Sequence, residues 1–279
     1  CNGATGAAVV FGSPVTGTTY AWANDNTTIG LAGSGNGNIG TFTATNTGTA
    51  PEVATVTITP TANGCLGQTS TFTITVNPTP TVDAVVDQTL CNNATTTAVN
   101  FTSPVAGTSY AWTNTITSIG LAGSGNGNIG VFTATNTGTA PVTATVTITP
   151  TANGCPGPAE TFTITVNPTP TVDAVADQTL CNNATTTAVN FTSPVTGTTY
   201  AWTNSDASIG LSGSGNGPIG AFTATNTGTV PVTATLPVPP HAPDSPGTAE
   251  TFTITVNPTP TVDAVADQTL CNNATTTAV

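Results

Sequence analysis

The sequence repeats itself with a period of 90 residues. The repeat is marked by a cysteine at Cys1, Cys91, Cys181 and Cys271 and by a tryptophan at Trp22, Trp112 and Trp202. A solenoid unit has roughly 20–50 residues, so each repeat is predicted to be a whole domain. The predicted segments are 1–77, a repeat that lacks its first strand, then 78–167 and 168–257, and finally 258–279, the start of a fourth repeat.

Within each repeat, hydrophobic residues alternate with threonine. The segments 142–149 and 161–166 show this period of two most clearly. Such alternation predicts strands with one face on a core and the other in water. Shorter strands are predicted at 98–102, 109–112 and 130–135, with Gly, Asn and Pro between them. About six or seven short strands per repeat predict an all-β fold of tandem immunoglobulin-like β-sandwich domains, with Trp22, Trp112 and Trp202 in their cores.

The chain contains no lysine and no arginine. Twelve acidic residues and one histidine leave a formal net charge of −12. Nucleic-acid binding and attachment to an anionic membrane surface both require cations, so the composition excludes both functions. No apolar stretch approaches the ~20 residues that span a bilayer, so no membrane insertion is expected.

The residues that enzymes use are scarce. The single histidine, His241, lies in the proline-rich stretch 237–243 and has no counterpart in the other repeats. The glycine-rich loop 123–130 lacks the lysine of a phosphate-binding loop, and its Asn-Gly pairs favour tight turns. We therefore predict that the protein is not an enzyme.

The cysteines form pairs that are 64 residues apart. Pairing Cys1 with Cys65 and Cys91 with Cys155 would close a loop inside each repeat, which stabilises a fold by about 4 kcal/mol in the chain-entropy treatment. The rival scheme pairs Cys65 with Cys91 and Cys155 with Cys181, linking neighbouring repeats. We favour the first scheme because a domain should close its own core before it docks.

The third repeat departs from the others between residues 236 and 248. Pro237 and Pro239 remove hydrogen-bond donors from an expected core strand, and Ser245 replaces the expected cysteine. Either the strand is locally distorted, or the sequence is in error there.

Four strings, some of them with substitutions from one repeat to the next, mark the repeats: Thr-Tyr-Ala-Trp-Thr-Asn, Thr-Ala-Thr-Val-Thr-Ile-Thr, Asn-Gly-Cys and Thr-Phe-Thr-Ile-Thr-Val-Asn-Pro. They resemble the PKD-like, immunoglobulin-like repeats of giant exported proteins of Bacteroidetes-type bacteria. Of the PKD motif Trp-Asp-Phe-Gly-Asp only the tryptophan is present, because Thr113 and Asn114 follow Trp112. In that family the modules form shafts of surface adhesins, including gliding-motility adhesins often exported by the type IX route. The resemblance implies a structural role outside the cell or on its surface.

Two further residue types are candidate sites. Paired aspartates near the linkers are candidate Ca²⁺ ligands, although two carboxylates fall short of the roughly six to eight oxygens that calcium takes, and solvated acids are the favoured interpretation. These are Asp83, Asp87, Asp173, Asp177, Asp263 and Asp267. Glycosylation sequons occur at Asn93, Asn100, Asn183 and Asn190.

The leading interpretation is a structural repeat region of an extracellular adhesin or filament, acting as a shaft or fibre subunit. The alternative is an array of modules that bind carbohydrate or another surface. The expected partners are other copies of the chain, through head-to-tail or lateral contacts, and surface glycans; calcium is the only candidate cofactor. The sequence begins inside one repeat and stops inside another, and two explanations are open. It is either a window on a longer polypeptide, which we favour, or a subunit whose tail completes the first domain of the next copy.

Overall fold

The computed structural model describes residues 1–242, 244–276 and 278, and its regular structure is almost entirely β. The strands are β1 (Thr5–Gly6), β2 (Thr19–Asn24), β3 (Ser34–Asn36), β4 (Phe42–Thr43), β5 (Glu52–Ala62), β6 (Cys65–Leu66), β7 (Ser70–Val76), β8 (Gln88–Cys91), β9 (Ser109–Asn114), β10 (Ser124–Asn126), β11 (Val142–Ala152), β12 (Cys155–Pro156), β13 (Glu160–Asn167), β14 (Gln178–Cys181), β15 (Thr199–Thr203), β16 (Ser214–Asn216), β17 (Val232–Val238), β18 (Pro240–Ala242), β19 (Ser245–Pro246) and β20 (Glu250–Asn257). Short 3₁₀ helices lie at Thr27–Ile29, Thr117–Ile119 and Ala207–Ile209. None of the helices in the described residues has the length and apolar character to cross a membrane.

Three hydrophobic cores define three β-sandwiches, which we number along the chain. Sandwich one contains β1–β7, sandwich two β8–β13 and sandwich three β14–β20, and each core contains one tryptophan. The chain divides into two compact units. Unit one comprises Cys1–Asn136 and Pro141–Asn167, and unit two comprises Thr137–Ala140 and Pro168–Val279. The predicted fold class, tandem immunoglobulin-like sandwiches, is confirmed.

The long strand β11 organises sandwich two. It pairs antiparallel with β13 along Val142–Ile148 and with β9 along Val146–Thr151. It is therefore the central strand of a six-stranded sheet with the order β10-β9-β11-β13-β8, in which β12 also pairs with β11. Its apolar side chains from Ala144 onward are buried while its threonines are exposed or half-buried, as the alternation predicts. The strands predicted at 142–149, 161–166 and 109–112 are therefore confirmed.

The predictions of strands at 98–102 and 130–135 are wrong. These segments make only isolated backbone bridges, Val99–Ile129 and Thr95–Thr133. Side chains replace the backbone ladder there: the Phe101 N–H donates to Asn128 Oδ1 at 2.9 Å, and the Phe132 N–H donates to Thr96 Oγ1 at 3.0 Å. A side-chain acceptor satisfies the amide equally well and ends the pairing.

Sandwich three shows the expected distortion. The counterpart of β11 is divided into β17 and β18, on either side of Pro239. The β17–β20 register is complete from Val232 to Val238, but β15 retains only the Thr199–His241 and Tyr200–Pro240 pairs with β18. Proline has no N–H to donate, and the backbone pairing that is lost is the pairing with β15. The core survives, because Leu236 is fully buried.

The glycine-rich loop of sandwich two supports the tryptophan. Residues 124–126 form β10, which pairs with β9. A Cβ on Gly125 would lie 2.2 Å from Cζ2 of Trp112, so only glycine lets the indole ring lie flat on this strand. Gly127 has a φ of +69° at the turn that follows.

Candidate functional site at the junction of sandwiches one and two

The two recurring cysteine positions of a repeat lie at opposite ends of a sandwich. Cys91 ends β8, which runs parallel to β13 and places this cysteine opposite Asn167. Cys155 lies in the β11–β12 hairpin, before β13 begins. At about 3.3 Å per residue, β13 alone separates the two positions by more than about 20 Å. A disulfide requires Cα atoms within roughly 7 Å, so the favoured pairing inside one repeat is excluded.

The structure instead joins Cys1 to Cys155, with an S–S distance of 2.05 Å and a Cα–Cα distance of 5.5 Å. Cys1 lies at the carboxyl end of sandwich one, where the Asn2 N–H donates to the Asn77 carbonyl at 2.9 Å. The bridge therefore links the end of one sandwich to the hairpin of the next. The predicted Cys1–Cys65 bridge is wrong, and so is the rival Cys155–Cys181 pairing; Cys65 is an exposed thiol.

Close backbone contact accompanies the disulfide. The Asn77 side-chain amide donates to the carbonyl of Asn153 at 3.2 Å. A Cβ on Gly157 would lie 1.8 Å from the carbonyl oxygen of Pro80, so this approach of the linker to the hairpin requires glycine. On the equivalent Gly67 of sandwich one, the nearest atom to a Cβ would be 3.0 Å away. The junction thus uses glycine for a contact that Gly67 does not make.

The linker aspartates hold the linker on sandwich two. The Asp83 N–H donates to the Thr102 carbonyl at 3.0 Å, and the Thr102 hydroxyl donates to Asp83 Oδ2 at 2.6 Å. The Thr163 N–H donates to Asp87 Oδ1 at 2.6 Å. In unit two, Asp173 and Asp177 make the same bonds to Thr192 and Thr253. These carboxylates act as acceptors that fasten the first strand of sandwiches two and three.

The same aspartates do not fit a calcium site. Each linker offers two carboxylates, and both already accept hydrogen bonds from the protein. In the part of the chain that the structure describes, no three His, Cys, Asp or Glu residues cluster closely enough to hold a metal. Calcium takes roughly six to eight oxygen ligands. Asp263 and Asp267 are exposed.

Apolar residues of the linker complete the core of sandwich two. Val82, Val85 and Leu90 pack against this core. Beneath them Phe162 is 2% exposed and Ile164 fully buried. The segment 78–91 is therefore part of the sandwich it precedes, held by the parallel strand β8 and by its aspartates.

Asp83 also acts on a tyrosine. Burial raises the pKa of Tyr110, the Asp83 carboxylate raises it further, and a hydrogen bond with Ser103 partly lowers it. A raised pKa means that the neutral tyrosine stabilises the fold. This contribution is complete below the ordinary pKa of about 10 and is lost as the pH rises through the higher folded value.

Replacing Asp83 by asparagine is expected to lower the pKa of Tyr110 toward its ordinary value, because the carboxylate charge is removed. Ultraviolet absorbance during an alkaline titration measures this shift. Asp263→Asn is the matched control, since Asp263 is exposed in the tail. An unchanged titration in Asp83→Asn would contradict the electrostatic origin of the shift.

The remaining predicted residues lie apart from the junction. The sequon residues Asn93, Asn100, Asn183 and Asn190 are exposed, and their glycosylation stays a prediction. His241 is exposed and lines a cavity of about 650 Å³ in sandwich three, whose described lining contains no carboxylate or thiol. Ser245, at the position of Cys155, is buried, and its Oγ has no hydrogen-bond partner among the described residues. These residues form no catalytic arrangement.

Comparison with known proteins agrees with the architecture. Residues 8–80 match the family described as "PKD-like domain", which supports the PKD-like resemblance for the first repeat. No curated protein sequence matches the chain.

Several solved structures match the chain at low sequence identity. Protocadherin gamma B2 extracellular cadherin domains 3–6 have 13% identity and a TM-score of 0.38, covering 87% of this chain and 68% of that one. Mouse cadherin-23 EC22-24 has 12% identity and a TM-score of 0.37, covering 88% and 89%. Chicken CNTN1 FN1-FN3 has 10% identity and a TM-score of 0.27, covering 86% and 88%. Similarity at this level does not extend to function.

Proposed function

We propose that this chain is a structural repeat region of an extracellular bacterial adhesin or filament, acting as an extended shaft or fibre subunit. The observation that carries the proposal is the junction inside unit one. There the end of sandwich one is joined to the start of sandwich two by the Cys1–Cys155 bridge and by the bond from Asn77 to Asn153. A covalent link that supplements the linker is suited to a chain of modules under tension.

Further features support a location outside the cell. Disulfides persist in oxidising compartments and are rare in the cytosol. Without lysine or arginine, the chain presents no cleavage site to trypsin-like proteases. The proposal takes the repeats to be 1–77, 78–167, 168–257 and 258–279, with other copies of the chain and surface glycans as its partners.

The aromatic residues favour the structural role over the alternative of a carbohydrate-binding array. Carbohydrate sites typically present exposed aromatic rings, whereas all three tryptophans here are buried. In sandwich two, Phe101 and Tyr110 pack against each other with ring centroids 5.5 Å apart. Neither the junction nor the cavity beside His241 holds an acid–base pair, so the proposal includes no enzymatic activity.

Antibody labelling of intact cells from the native source tests this proposal. We expect gold particles at the cell surface or along fibres without permeabilisation, and a Cys1–Cys155 linked peptide in the purified protein. Labelling that requires permeabilisation, together with reduced cysteines, would contradict an extracellular role.

A further inference from the structure

Sandwich three contains a mainly apolar cavity of about 650 Å³ beside β15. Its lining comes from β15, from the turn at 216–217 and from His241. A threonine occupies the position of His241 in the other two sandwiches, at residues 61 and 151. Ala201 is half-buried in this lining, whereas its counterpart Ala111 in sandwich two is exposed. The larger side chain of His241 therefore forms a wall of the cavity where the other sandwiches have a short side chain.

A proline deprives this cavity wall of a backbone hydrogen bond. The Ser205 N–H donates to the Thr235 carbonyl at 3.1 Å, which marks a hydrogen-bonded position between the strand that contains β15 and β17. In an antiparallel pair such positions recur at every second residue. Pro239 therefore stands where a backbone N–H would donate to the carbonyl of Ala201. Because proline has no N–H, the Ala201 carbonyl does not receive this bond.

The same position is complete in sandwich two, where Thr149 pairs with Ala111 and has an N–H to donate. In sandwich three Ala201 lines the cavity, so its carbonyl is an acceptor available to a ligand. Asn216 pairs with Ala201 on the other side of β15 and adds an exposed side-chain amide oxygen. A carbonyl can only accept, so a ligand that satisfies it must carry an N–H or O–H donor.

The electrostatic surroundings select among the possible donors. The chain has a formal net charge of −12 and contains no lysine or arginine. Burial raises the pKa of Tyr200, the Asp173 carboxylate raises it further, and a hydrogen bond with Ser193 partly lowers it. The negative potential of Asp173 thus reaches a residue that lines the cavity. Such a field favours a cationic donor over an uncharged hydroxyl group.

We propose that this cavity binds an alkylammonium group, carried by a polyamine or by a lysine side chain of another protein. The ammonium group donates to the Ala201 carbonyl and to the side-chain oxygen of Asn216, and its alkyl chain lies against the apolar wall beside His241. Because the sequence contains no lysine, a second copy of this chain cannot supply the side chain. This binding activity goes beyond the structural role proposed above and does not depend on it.

Proton NMR of the full oxidised chain tests the proposal. His241 is the only histidine of the sequence, so its two imidazole C–H signals report on this cavity alone. The protein is titrated at constant pH with spermidine, with the capped peptide acetyl-Gly-Lys-Gly-amide, and with n-butanol as the uncharged control. We expect saturable shifts of the His241 signals with an amine and none with n-butanol. High salt should weaken the binding, because it screens the charges.

Pro239→Thr is the decisive variant, because it returns the N–H donor to the Ala201 carbonyl and keeps His241 as the reporter. The ligand then loses a hydrogen bond made by a charged group, so its Kd should rise at least about tenfold. Pro237→Thr is the matched control. It returns a donor opposite Thr203, which lies outside the described lining of the cavity, and should leave the Kd unchanged. Both variants restore a backbone donor to the sheet, so neither should impair folding.

The two amines distinguish the sources of the ammonium group. Shifts with spermidine alone would support the site and assign it to free polyamines, whereas shifts with the lysine peptide would support it and assign it to a partner protein. Equal shifts with n-butanol would overturn the cationic ligand, and an unchanged Kd in Pro239→Thr would overturn the Ala201 carbonyl as its acceptor. Titrations without any shift would overturn the site itself, while the Cys1–Cys155 junction would leave the proposed function standing.

Discussion

Breaking the Cys1–Cys155 disulfide is expected to lower the free energy of unfolding of unit one by roughly 5 kcal/mol. The bond joins residues 154 apart in sequence and closes a loop that includes all of sandwich one. In the chain-entropy treatment such a cross-link restricts the unfolded chain, and its effect grows slowly with the length of the loop. Without the bridge, the junction is held by its hydrogen bonds and by the contact of Pro80 with Gly157.

Urea denaturation of the oxidised protein, the reduced protein and Cys1→Ser measures this effect. The reduced protein and Cys1→Ser should unfold at the same lower urea concentration, and reductant should not affect Cys1→Ser further. Cys65→Ser is the matched control, because Cys65 is an exposed thiol at the equivalent hairpin; its change should stay within about 0.5 kcal/mol. Equal destabilisation by Cys65→Ser and Cys1→Ser would restore the pairing inside one repeat.

The strands of the fold were predictable because their signal is local. The alternation in 142–149 reports directly which side chains of β11 face the core, and the structure buries Ala144, Val146 and Ile148 while the threonines between them are only half-buried. The interruption between β17 and β18 was predictable for the same reason, because Pro237 and Pro239 lack an N–H group and so weaken the pairing of the strand that contains them. The failures at 98–102 and 130–135 arose where the side chains of Asn128 and Thr96 took over backbone pairing, which periodicity does not encode.

The junction was not predictable, because it depends on contacts distant in sequence. Two facts determine the Cys1–Cys155 bridge: β8 runs parallel to β13, and the cysteine after β8 therefore lies at the far end of the sandwich from the β11–β12 hairpin. One local signal was present. Asn153 and Gly154 both adopt positive φ, as Asn-Gly turns favour, which places Cys155 at a hairpin tip rather than inside a core. That position suits contact with a neighbouring sandwich.

The second large effect is expected at Trp112. Replacing it by alanine should destabilise sandwich two by about 3–5 kcal/mol, since the side chain is buried and its removal leaves a cavity. Its indole Nε1 is buried without a hydrogen-bond partner among the described residues, as are those of Trp22 and Trp202. Because an unpaired buried donor is itself destabilising, Trp112→Phe should cost less than its loss of volume alone suggests. Val131→Ala, at an exposed position, is the control and should change stability by less than about 0.5 kcal/mol.

The contact between Trp112 and Gly125 makes this prediction sharper. A Cβ on Gly125 would lie 2.2 Å from Cζ2 and 2.6 Å from Cε2 of the indole, so Gly125→Ala alone should cost about 1–3 kcal/mol through overpacking. In Trp112→Ala/Gly125→Ala the new methyl group enters space that the indole has left. The double variant should therefore be more stable than the sum of the two single changes predicts, by at least about 1 kcal/mol. Calorimetric or urea unfolding of the four proteins measures this coupling. Strict additivity would mean that Gly125 is required by its strand and not by the ring that lies on it.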